Sequence, residues 1–403
     1  MSQSAVSRKA QSKLQNEARA AWHNSGRKGT LAMATGTGKS KVPLDEIYDL
    51  HQTYGNDLKV LLVVPTESLR DTNWPEEVAK WGMTDIFEEC ITPVCYASAH
   101  KLKGNHWHLV ILDEAHHLTE LNSKVITNNT CDAIMGLTAT PPSPKYNPFK
   151  AILMDEIAPV VYYFSIEDAI DEDIVADFHL HVVKLPLENK LKEIQAGSKA
   201  KPFKTTEEAM YAFLTKRIQL QIIRGQSAKW EILRRTHFIY GLPSKTRAAK
   251  QIMAKIDNGV RRFLVFAGSI DQCEQLCAPN TYHSKAKKPN MLEAFKQYLM
   301  NWLGVVSAVN EGHTIAGLDM SLVVRLNSSE LELIQKIGRN VRFRPGHKAH
   351  IIVLVTQKTV DEDWLKISTR SIDSKRITVH TMDEFMALDF DKLTAQKPEV
   401  LVG

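Results

Sequence analysis

The stretch LAMATGTGKSK, residues 31–41, places two glycines, a lysine and a serine directly after a short apolar run. Gly36 and Gly38 allow a bend in which successive backbone N–H groups point inward at a phosphate, and Lys39 follows where a helix would begin. A complete phosphate-loop motif has a glycine where Met33 stands, so the match covers only the second half of that motif. An ordinary turn also uses glycine for positive φ angles, but the order of strand, glycine loop, lysine and amphipathic helix favours a phosphate cradle.

The composition is that of an ordinary globular protein. The chain has 403 residues, 43% hydrophobic and 24% charged, and is large enough for about two or three domains. Its formal net charge of +5 is compatible with a polyanionic partner but does not require one. Five cysteines, an odd number, argue against a disulfide framework. Cys273 and Cys277 lack a second pair with metal-ligand spacing, so we expect both to be buried apolar residues.

The apolar pattern predicts two parallel sheets. Continuous apolar runs alternate with helical patterns, as expected for strands that are buried on both faces. The predicted strands are residues 29–34, 59–65, 91–97, 107–113, 133–139 and 159–164, and then 262–267, 305–309, 322–327 and 350–356. Residues 187–235 are rich in Lys, Gln and Glu at helical spacing. We therefore predict an α/β fold with domains at 1–180 and 241–403, joined by a helical connector or insertion at 181–240.

Ligands of open α/β sheets lie beyond the carboxyl ends of the strands, and acidic residues stand at one such end. The segment LVILDEAHH, residues 109–117, ends its apolar run at Asp113 and Glu114. Asp113 can hold Mg²⁺ together with Ser40, while Glu114 can polarise a water molecule and take its proton. An acidic helix N-cap is the alternative, but the glycine loop about 75 residues upstream favours catalysis.

A second strand end carries hydroxyl groups. The segment GLTATPP, residues 136–142, offers Thr138 and Thr140 as hydroxyls that could bond the acidic pair across adjacent strands. In isolation this segment is a turn, since its prolines end the element. His116, beside the acidic pair, is expected to couple the site to the nucleotide, whereas we assign no role to His117.

The segment QKIGRNVRFRPG, residues 335–346, follows a predicted strand of the second set. It places Gln335, Arg339 and Arg342 on one helix face. Arginine suits the charge on a transferring phosphoryl group because its guanidinium is planar, always charged and multidentate. A solvated basic helix face is the alternative, and a helix-interior glycine in this segment favours the functional interpretation.

In order and content, these segments resemble the motifs of superfamily-two helicases and translocases. The matching blocks are QNEARAAW (15–22), TGTGKS (35–40), VVPTESL (63–69), DEAH (113–116), TAT (138–140), LVFAGSIDQCEQL (264–276), VNEGHTIAGLD (309–319) and QKIGRNVR (335–342). One short match is weak evidence, but eight in the correct order are strong. The resemblance implies two tandem RecA-like domains with parallel sheets that use ATP and Mg²⁺.

The resemblance also implies roles for individual residues. Catalysis is expected from Lys39, Asp113, Glu114, Gln335, Arg339 and Arg342. Cofactor binding is expected from Gln15 (on adenine), Thr35, Gly36, Thr37, Gly38, Lys39, Ser40, Glu311 and Gly312, with Ser40 and Asp113 as the metal ligands. Coupling is expected from His116, Thr138 and Thr140, and nucleic-acid contact from Pro65, Thr66, Ser98 and Ser307.

Two departures from the family pattern bear on the substrate. Thr314 stands where many relatives have an acidic residue, and the last motif starts with Gln335 instead of histidine and lacks a second glycine. This combination is more similar to DNA-acting branches, most of all to phage-type helicases that remodel forks and branched junctions. Three other functions stay open: an RNA helicase or ribonucleoprotein remodeller, a restriction-type motor subunit, and an ATP-gated binding protein that does not unwind.

The expected partner is DNA, with RNA not excluded. No apolar stretch approaches the about 20 residues needed to cross a bilayer, and the first residues are polar. We therefore expect no membrane partner and a cytoplasmic location, in the host cytoplasm if a phage encodes the chain. We expect the motor to act as a monomer.

Overall fold

The computed structural model describes residues 3–145, 147–198, 200–285, 291–306, 315, 318–327, 348–370 and 372–390. The chain divides into two compact units, the first ending at Ala176 and the second starting at Asp177. Among the described residues, no helix combines the length and the apolar character needed to span a membrane.

The first unit alternates strands with helices. Its strands are β1 (Lys28–Met33), β2 (Val60–Val64), β3 (Ile91–Cys95), β4 (His106–Trp107), β5 (Leu109–Leu112), β6 (Thr130–Cys131), β7 (Ile134–Thr138) and β8 (Val160–Phe164). Its helices are α1 (Gln3–Asn24), α2 (Lys41–Tyr54), α3 (Trp74–Lys80), α4 (Thr84–Cys90), α5 (Tyr96–Ala99), α6 (Lys124–Thr127), α7 (Pro148–Ile157) and α8 (Ile166–Asp171).

Six of these strands form one parallel sheet in the order β3-β2-β5-β7-β1-β8. The strands β2, β5 and β7 are buried along their whole length, while the edge strands β3 and β8 are partly exposed. Trp22 ties α1 to this sheet, because its indole N–H donates to the carbonyl of Ile134 at 2.8 Å. Since all six strands run in the same direction, their carboxyl ends lie along one edge.

The second unit is built in the same way. Its strands are β9 (Asp177–Leu185), β10 (Ile194–Ser198), β11 (Lys201–Thr205), β12 (Phe263–Phe266), β13 (Thr281–Tyr282), β14 (Trp302–Val305), β15 (Met320–Val323), β16 (Lys348–Thr356) and β17 (Ile377–Thr381). Its described helices are α9 (Glu207–Ile223), α10 (Lys229–Tyr240), α11 (Pro243–Ile256), α12 (Ile270–Cys277), α13 (Met291–Lys296), α14 (Val360–Ser368) and α15 (Met382–Met386).

Seven strands of the second unit form a parallel sheet in the order β13-β14-β12-β15-β16-β9-β17. Its core packs apolar side chains of β9, β12, β15 and β16 against α11 and α12. Cys273 and Cys277 on α12 are free and buried, as expected.

The predicted α/β fold with parallel sheets is confirmed. Each of the ten predicted strands overlaps a strand of the structure, and the first six agree closely because each is a continuous apolar run. The predicted strand 305–309 begins three residues after the first residue of β14. Its last three residues lie outside the described part of the chain.

The region around residue 180 differs from the prediction. Residues 177–185 were expected to end the first domain and to begin a helical connector, but they form β9, which pairs with both β16 and β17. His179 and His181 interrupt the apolar pattern of this strand. In the fold they are satisfied by neighbouring strands: His179 Nε2 lies 2.8 Å from Thr378 Oγ1, and His181 contacts two further histidines.

The remainder of the predicted connector is only partly helical. Residues 207–223 and 229–240 form α9 and α10 as expected, but β10 and β11 pair as an antiparallel hairpin over 194–205. The hairpin escaped prediction because both strands are largely exposed and neither has the buried apolar run of a sheet strand; β11 also carries two lysines, Lys201 and Lys204.

Candidate functional site

The glycine loop between β1 and α2 has the backbone that a phosphate cradle needs. Gly36 has φ +88° and Gly38 has φ +73°, both in the region that favours glycine. A Cβ atom on Gly38 would lie 2.6 Å from the amide nitrogen of Gln15, and one on Gly36 would lie 3.0 Å from Val175 Cγ1. Both glycines are therefore favoured by backbone conformation, and a Cβ on Gly38 would also displace the side-chain amide of Gln15.

Two glutamines of α1 hold this loop. The side-chain amide of Gln15 donates to the carbonyls of Thr37 and Gly38, each at 3.1 Å, and Gln11 donates to the carbonyl of Gly36 at 3.4 Å. Turning these carbonyls toward α1 leaves the opposite side of the loop to its N–H groups. The predicted contact of Gln15 with adenine stays a prediction.

The loop leads directly into α2. The hydroxyl of Thr37, fully buried, donates to the carbonyl of Ala34 at 2.8 Å and so closes the bend. Ser40 occupies the N-cap position of α2, yet its hydroxyl makes no capping hydrogen bond. The positive end of the helix dipole and a free serine hydroxyl thus stand together at the start of α2.

The acidic pair follows β5 at the same edge of the sheet. Asp113 is buried, and both of its carboxylate oxygens accept hydrogen bonds: Oδ2 from the indole N–H of Trp74 at 2.8 Å, and Oδ1 from the backbone N–H of Glu114 at 3.0 Å. Burial, followed by the neighbouring Glu114, raises the pKa of Asp113. Its orientation is fixed by neutral donors on both oxygens.

Glu114 lies against the loop lysine. Its Oε1 is 3.5 Å from Nζ of Lys39, and its Oε2 is 3.4 Å from Nδ1 of His116. Burial acts to raise the pKa of Glu114, but nearby positive charge, above all that of Lys39, outweighs burial and the pKa is lowered. Glu114 also has φ +46° and ψ 57°, a left-handed backbone that costs a non-glycine residue about 1–2 kcal/mol. Such strain is typical of functional sites.

The hydroxyl segment after β7 contacts the histidine instead of the carboxylates. Thr138 Oγ1 lies 3.0 Å from Nδ1 of His116, and its hydroxyl donates to the carbonyl of Thr140 at 3.2 Å. The expected bonding of Thr138 to the acidic pair is thus replaced by an indirect connection through His116. Burial lowers the pKa of His116 to about 3, so the ring is neutral at physiological pH.

Several polar atoms at this edge are buried and have no hydrogen-bond partner among the described residues. They are Thr35 Oγ1, Thr140 Oγ1, Glu114 Oε2 and His116 Nε2. Buried polar groups are normally satisfied, because an unpaired one costs about 1–3 kcal/mol. Unused oxygen atoms beside a carboxylate and a lysine fit a ligand that carries both phosphate oxygens and a hard cation.

Three of the predicted nucleic-acid residues lie at the carboxyl ends of neighbouring strands. Pro65 and Thr66 follow β2, and Ser98 lies on α5 after β3; all three are half-buried. The Thr66 hydroxyl accepts from the N–H of Leu69 at 3.3 Å, and the Ser98 hydroxyl donates to the carbonyl of Cys95 at 3.1 Å. Their contact with nucleic acid stays a prediction.

The remaining predicted site residues lie outside the described part of the chain. They are Ser307, Glu311, Gly312, Gln335, Arg339 and Arg342.

Sequence reasoning missed three residues of the site. Trp74 bonds Asp113, Gln11 bonds the glycine loop, and Nζ of Lys150 donates to the carbonyl of His116 at 3.0 Å. Each is a contact between distant parts of the chain with no local motif. The only local signal was that Gln11 and Gln15 share one face of α1, four residues apart.

A second group of potential metal ligands lies elsewhere in the first unit. Atoms of His106, His108 and Asp132 lie within 4.8 Å of one another. Nδ1 of His108, however, accepts the backbone N–H of Lys59 at 3.0 Å. A neutral ring in this arrangement carries its proton on the other nitrogen and has no free lone pair for a metal ion. We assign no metal to this group.

Comparison with known proteins bears on the first unit most directly. Residues 4–92 and 90–143 match the family model described as "Type III restriction enzyme, res subunit". A curated relative, the putative DNA 3'-5' helicase Rad25 of Haloarcula marismortui, is 22% identical over 347 residues, which is 80% of this chain and 49% of that protein. The chain thus spans about half the length of the curated relative that it matches.

Two solved structures have a similar fold. S. cerevisiae Dbp5 bound to RNA and ADP BeF3 has a TM-score of 0.58 at 12% identity, covering 94% of this chain and 91% of that chain. The ATP-dependent Type ISP restriction-modification enzyme LlaBIII bound to DNA has a TM-score of 0.54 at 16% identity, covering 91% of this chain and 31% of that chain. The tandem RecA-like fold and the resemblance to superfamily-two helicases are confirmed.

Proposed function

We propose that this chain is an ATP-dependent motor that moves along or unwinds DNA. The observation that carries the proposal is the pairing of Lys39 with Glu114, whose charged atoms lie 3.5 Å apart. Lys39 directly follows a glycine loop with two positive φ angles. A lysine and a carboxylate from two different strand ends converge where the terminal phosphates of a nucleotide would lie.

The residues of the first unit have separate roles in this proposal. The loop N–H groups and Lys39 bind the phosphates, while Ser40 and Asp113 hold Mg²⁺, which neutralises charge on the phosphate oxygens. Glu114 orients the attacking water and accepts its proton. Lys39 and the neutral His116 both lie within 3.5 Å of this carboxylate. The lowered pKa of Glu114 keeps it ionised and ready to accept that proton.

The proposal requires a contribution from the domain at residues 241–403. Gln335, Arg339 and Arg342 come more than 200 residues after the acidic pair, and a guanidinium is suited to the charge that develops on the transferring phosphoryl group. If the arginines act on the γ-phosphate, its loss weakens a closed state, and repeated closing and opening can move strand-binding surfaces along a backbone.

The finer substrate assignment is DNA forks or branched junctions. Two observations support it. The last motif departs from the pattern of RNA-acting relatives, and the relative from Haloarcula marismortui is named a DNA helicase. An RNA substrate is the second candidate, because Dbp5, bound to RNA, has the same fold over nearly the whole chain. Phosphate contact by hydroxyls and backbone groups at Thr66 and Ser98 would suit either backbone.

The experiment is a steady-state ATPase assay with single-stranded DNA, duplex DNA, forked DNA and RNA as stimulators. We expect the largest stimulation with forked DNA, and no turnover from Lys39→Ala under any condition. As a matched control, Lys59→Ala removes an exposed lysine side chain just before β2 and leaves turnover unchanged. Lys39→Ala turnover close to wild type would refute the phosphate-cradle assignment, and stimulation by RNA alone would overturn the choice of DNA.

A second assay addresses the arginines. Arg342→Ala should leave nucleotide affinity nearly intact while lowering turnover by about 10³-fold or more, the scale of a lost arginine finger. Arg342→Lys should restore little activity, because a point charge does not reproduce the planar guanidinium. A stimulated rate within a few-fold of wild type for Arg342→Ala would instead support a solvated basic helix.

A further inference from the structure

The net positive charge of the chain is concentrated in residues 186–240, which we call the basic arm. The basic arm contains 11 Lys and Arg against 5 Asp and Glu, a net charge of +6, whereas the whole chain carries +5. All other residues together therefore have a formal net charge of −1. A concentration of one charge sign in a short segment attracts a polyanion in a way that a uniform surface does not.

The basic arm also exposes large apolar side chains. It consists of the β10–β11 hairpin followed by α9 and α10, and only a narrow stripe of α9 is buried. Trp230 is 78% exposed, Phe203 58% and Phe213 50%, and Ile223, at the end of α9, is 80% exposed. Phe203 stands on β11 between the exposed Lys201 and Lys204. Aromatic rings among cations are thus available to solvent in both parts of the arm.

Three cations lie close to Trp230 in the sequence. Arg224, Lys229 and Arg234 are exposed and form no ion pair with any residue that the structure describes. By contrast, Arg217 of the same arm pairs with Glu231 at 2.5 Å. Three such cations within six residues of an exposed indole along the chain favour an anionic partner that also offers flat apolar surfaces.

We propose that the basic arm is a second nucleic-acid-binding surface, formed by residues other than the strand-end loops of the first unit. Its lysines and arginines contact phosphates, and Trp230 and Phe203 stack on bases of a single-stranded segment, where base faces are accessible. The inference rests on the proposed function only in the choice of nucleic acid as partner. It requires no ATP hydrolysis.

The test is the salt dependence of binding. Labelled single-stranded DNA is titrated, without nucleotide, with wild type and with a combined Arg224→Glu, Lys229→Glu and Arg234→Glu variant, and fluorescence anisotropy is recorded at several salt concentrations. Loss of three phosphate contacts lowers the slope of log affinity against log salt by about 2 for a single strand. The matched control carries Lys250→Glu, Lys255→Glu and Lys366→Glu, with the same charge change in the same unit, and retains most of the slope.

Trp230 provides an independent measurement. Stacking on bases quenches indole fluorescence, so Trp230→Phe should lose most of the quenching that DNA produces in wild type, while Trp81→Phe, at another exposed tryptophan, should not. Equal slopes for the arm variant and its control, with quenching unaffected by Trp230→Phe, would overturn the inference and assign the surface to a protein partner. Wild type that binds DNA through the arm but shows no DNA-stimulated ATPase would defeat the proposed function alone.

A separate observation concerns Trp74, at the start of α3. Its ring is 4% exposed, and its N–H is the donor to Oδ2 of Asp113 at 2.8 Å, while the second oxygen accepts from the adjacent backbone. Without the indole, only one bond between neighbouring residues would orient this carboxylate. We infer that Trp74 is a positioning residue that aims Asp113 at the cation of the bound nucleotide. This inference rests on the proposed function.

Trp107 makes a matched comparison possible. It is also buried, at 7% exposed, and belongs to the core of the same unit, but its N–H has no hydrogen-bond partner among the residues that the structure describes. Trp74→Phe and Trp107→Phe therefore remove the same atoms from similar surroundings, and only the first removes a bond to Asp113.

The measurement is the binding of a fluorescent nucleotide as a function of Mg²⁺, with a parallel titration in EDTA. Loss of a bond that orients a metal ligand typically lowers metal affinity by about 10–100-fold, so Trp74→Phe should need at least tenfold more Mg²⁺ for half-maximal binding. Trp107→Phe should match wild type, and affinity in EDTA should be the same for all three. Equal Mg²⁺ requirements would overturn the inference, whereas wild type without Mg²⁺-dependent binding would defeat the proposed function.

Discussion

Buried polar side chains at the edge of the first sheet and on the histidine-bearing strands of the second sheet have different partners. At the edge of the first sheet, atoms of Thr35, Thr140 and Glu114 are buried and find no hydrogen-bond partner in the part of the chain that the structure describes. In the second sheet, His181 on β9 contacts His380 on β17 at 3.1 Å and His350 on β16 at 3.0 Å. Unpaired buried groups are costly, so the first arrangement is consistent with groups kept for an external ligand. The histidines of the second sheet instead join three neighbouring strands.

The largest expected effect is on turnover at the first edge. Glu114→Gln keeps the shape of the side chain but removes the proton acceptor, so the ATPase rate should fall by about 10³-fold. Nucleotide binding, measured with a fluorescent analogue, should be retained. The parallel change His181→Gln in the second sheet should leave the rate per folded molecule unchanged. A normal rate for Glu114→Gln would mean that another group is the base.

The histidine row should appear as a pH dependence of stability. Burial, assisted by His350, lowers the pKa of His181 to about 2, below its ordinary value of 6.5. Between these values the unfolded chain binds a proton that the folded chain does not. His181 should therefore contribute a fall in the free energy of unfolding of about 1.4 kcal/mol per pH unit below pH 6.5.

Denaturant titrations between pH 7 and pH 5 would measure this slope. His237→Gln, at an exposed histidine on α10, is the control and should keep the slope of wild type. A His181→Gln variant with the same slope as wild type would show that the histidine row tolerates a proton.

Substitution of Gly38 should have an effect of intermediate size. Gly38→Ala places a Cβ in a left-handed conformation and 2.6 Å from the Gln15 amide nitrogen, so we expect a loss of about 1–2 kcal/mol of stability and weaker nucleotide binding. Gly26→Ala is the control, since Gly26 has φ +76° with no atom within 4 Å of the added Cβ. Gly26→Ala introduces the same backbone strain but should not weaken nucleotide binding. Fluorescence anisotropy of a labelled nucleotide would measure that binding.

The smallest effect is expected when an unpartnered hydroxyl is removed. Thr140→Val should change the free energy of unfolding by no more than about 0.5 kcal/mol, because no hydrogen bond is lost. His380→Leu, which takes away one partner of His181, should cost about 1–3 kcal/mol. Thermal unfolding would measure the stability lost in each variant. Equal losses would mean that a buried polar group with a partner contributes no more to stability than one without.

Much of the fold was predictable because parallel strands buried on both faces leave continuous apolar runs. Strand β2, residues 60–64, is such a run, and its prediction was correct to within one residue at each end. Strand β9 was not predicted, because His179 and His181 occupy positions where the pattern demands apolar residues. Their bonds to residues almost 200 positions away carry no local sequence pattern.

The candidate site was predictable where its chemistry is local. The glycine loop and the acidic pair are each confined to a few adjacent residues, and Lys39 and Glu114 do meet in the fold. The route from Thr138 to Glu114 through His116 was not predictable, since it depends on side-chain directions at the ends of two strands. The same reason applies to Trp74, which is 39 residues from its partner.

The attachment of the glycine loop to α1 makes the first helix part of the site. Gln11 and Gln15 donate hydrogen bonds to three carbonyls of the loop. The ordering of the loop and the docking of α1 are therefore coupled. A ligand that binds the ordered loop must then also favour the docked helix, by mass action. Proteases that cleave within residues 8–24 would consequently cut more slowly when nucleotide is bound.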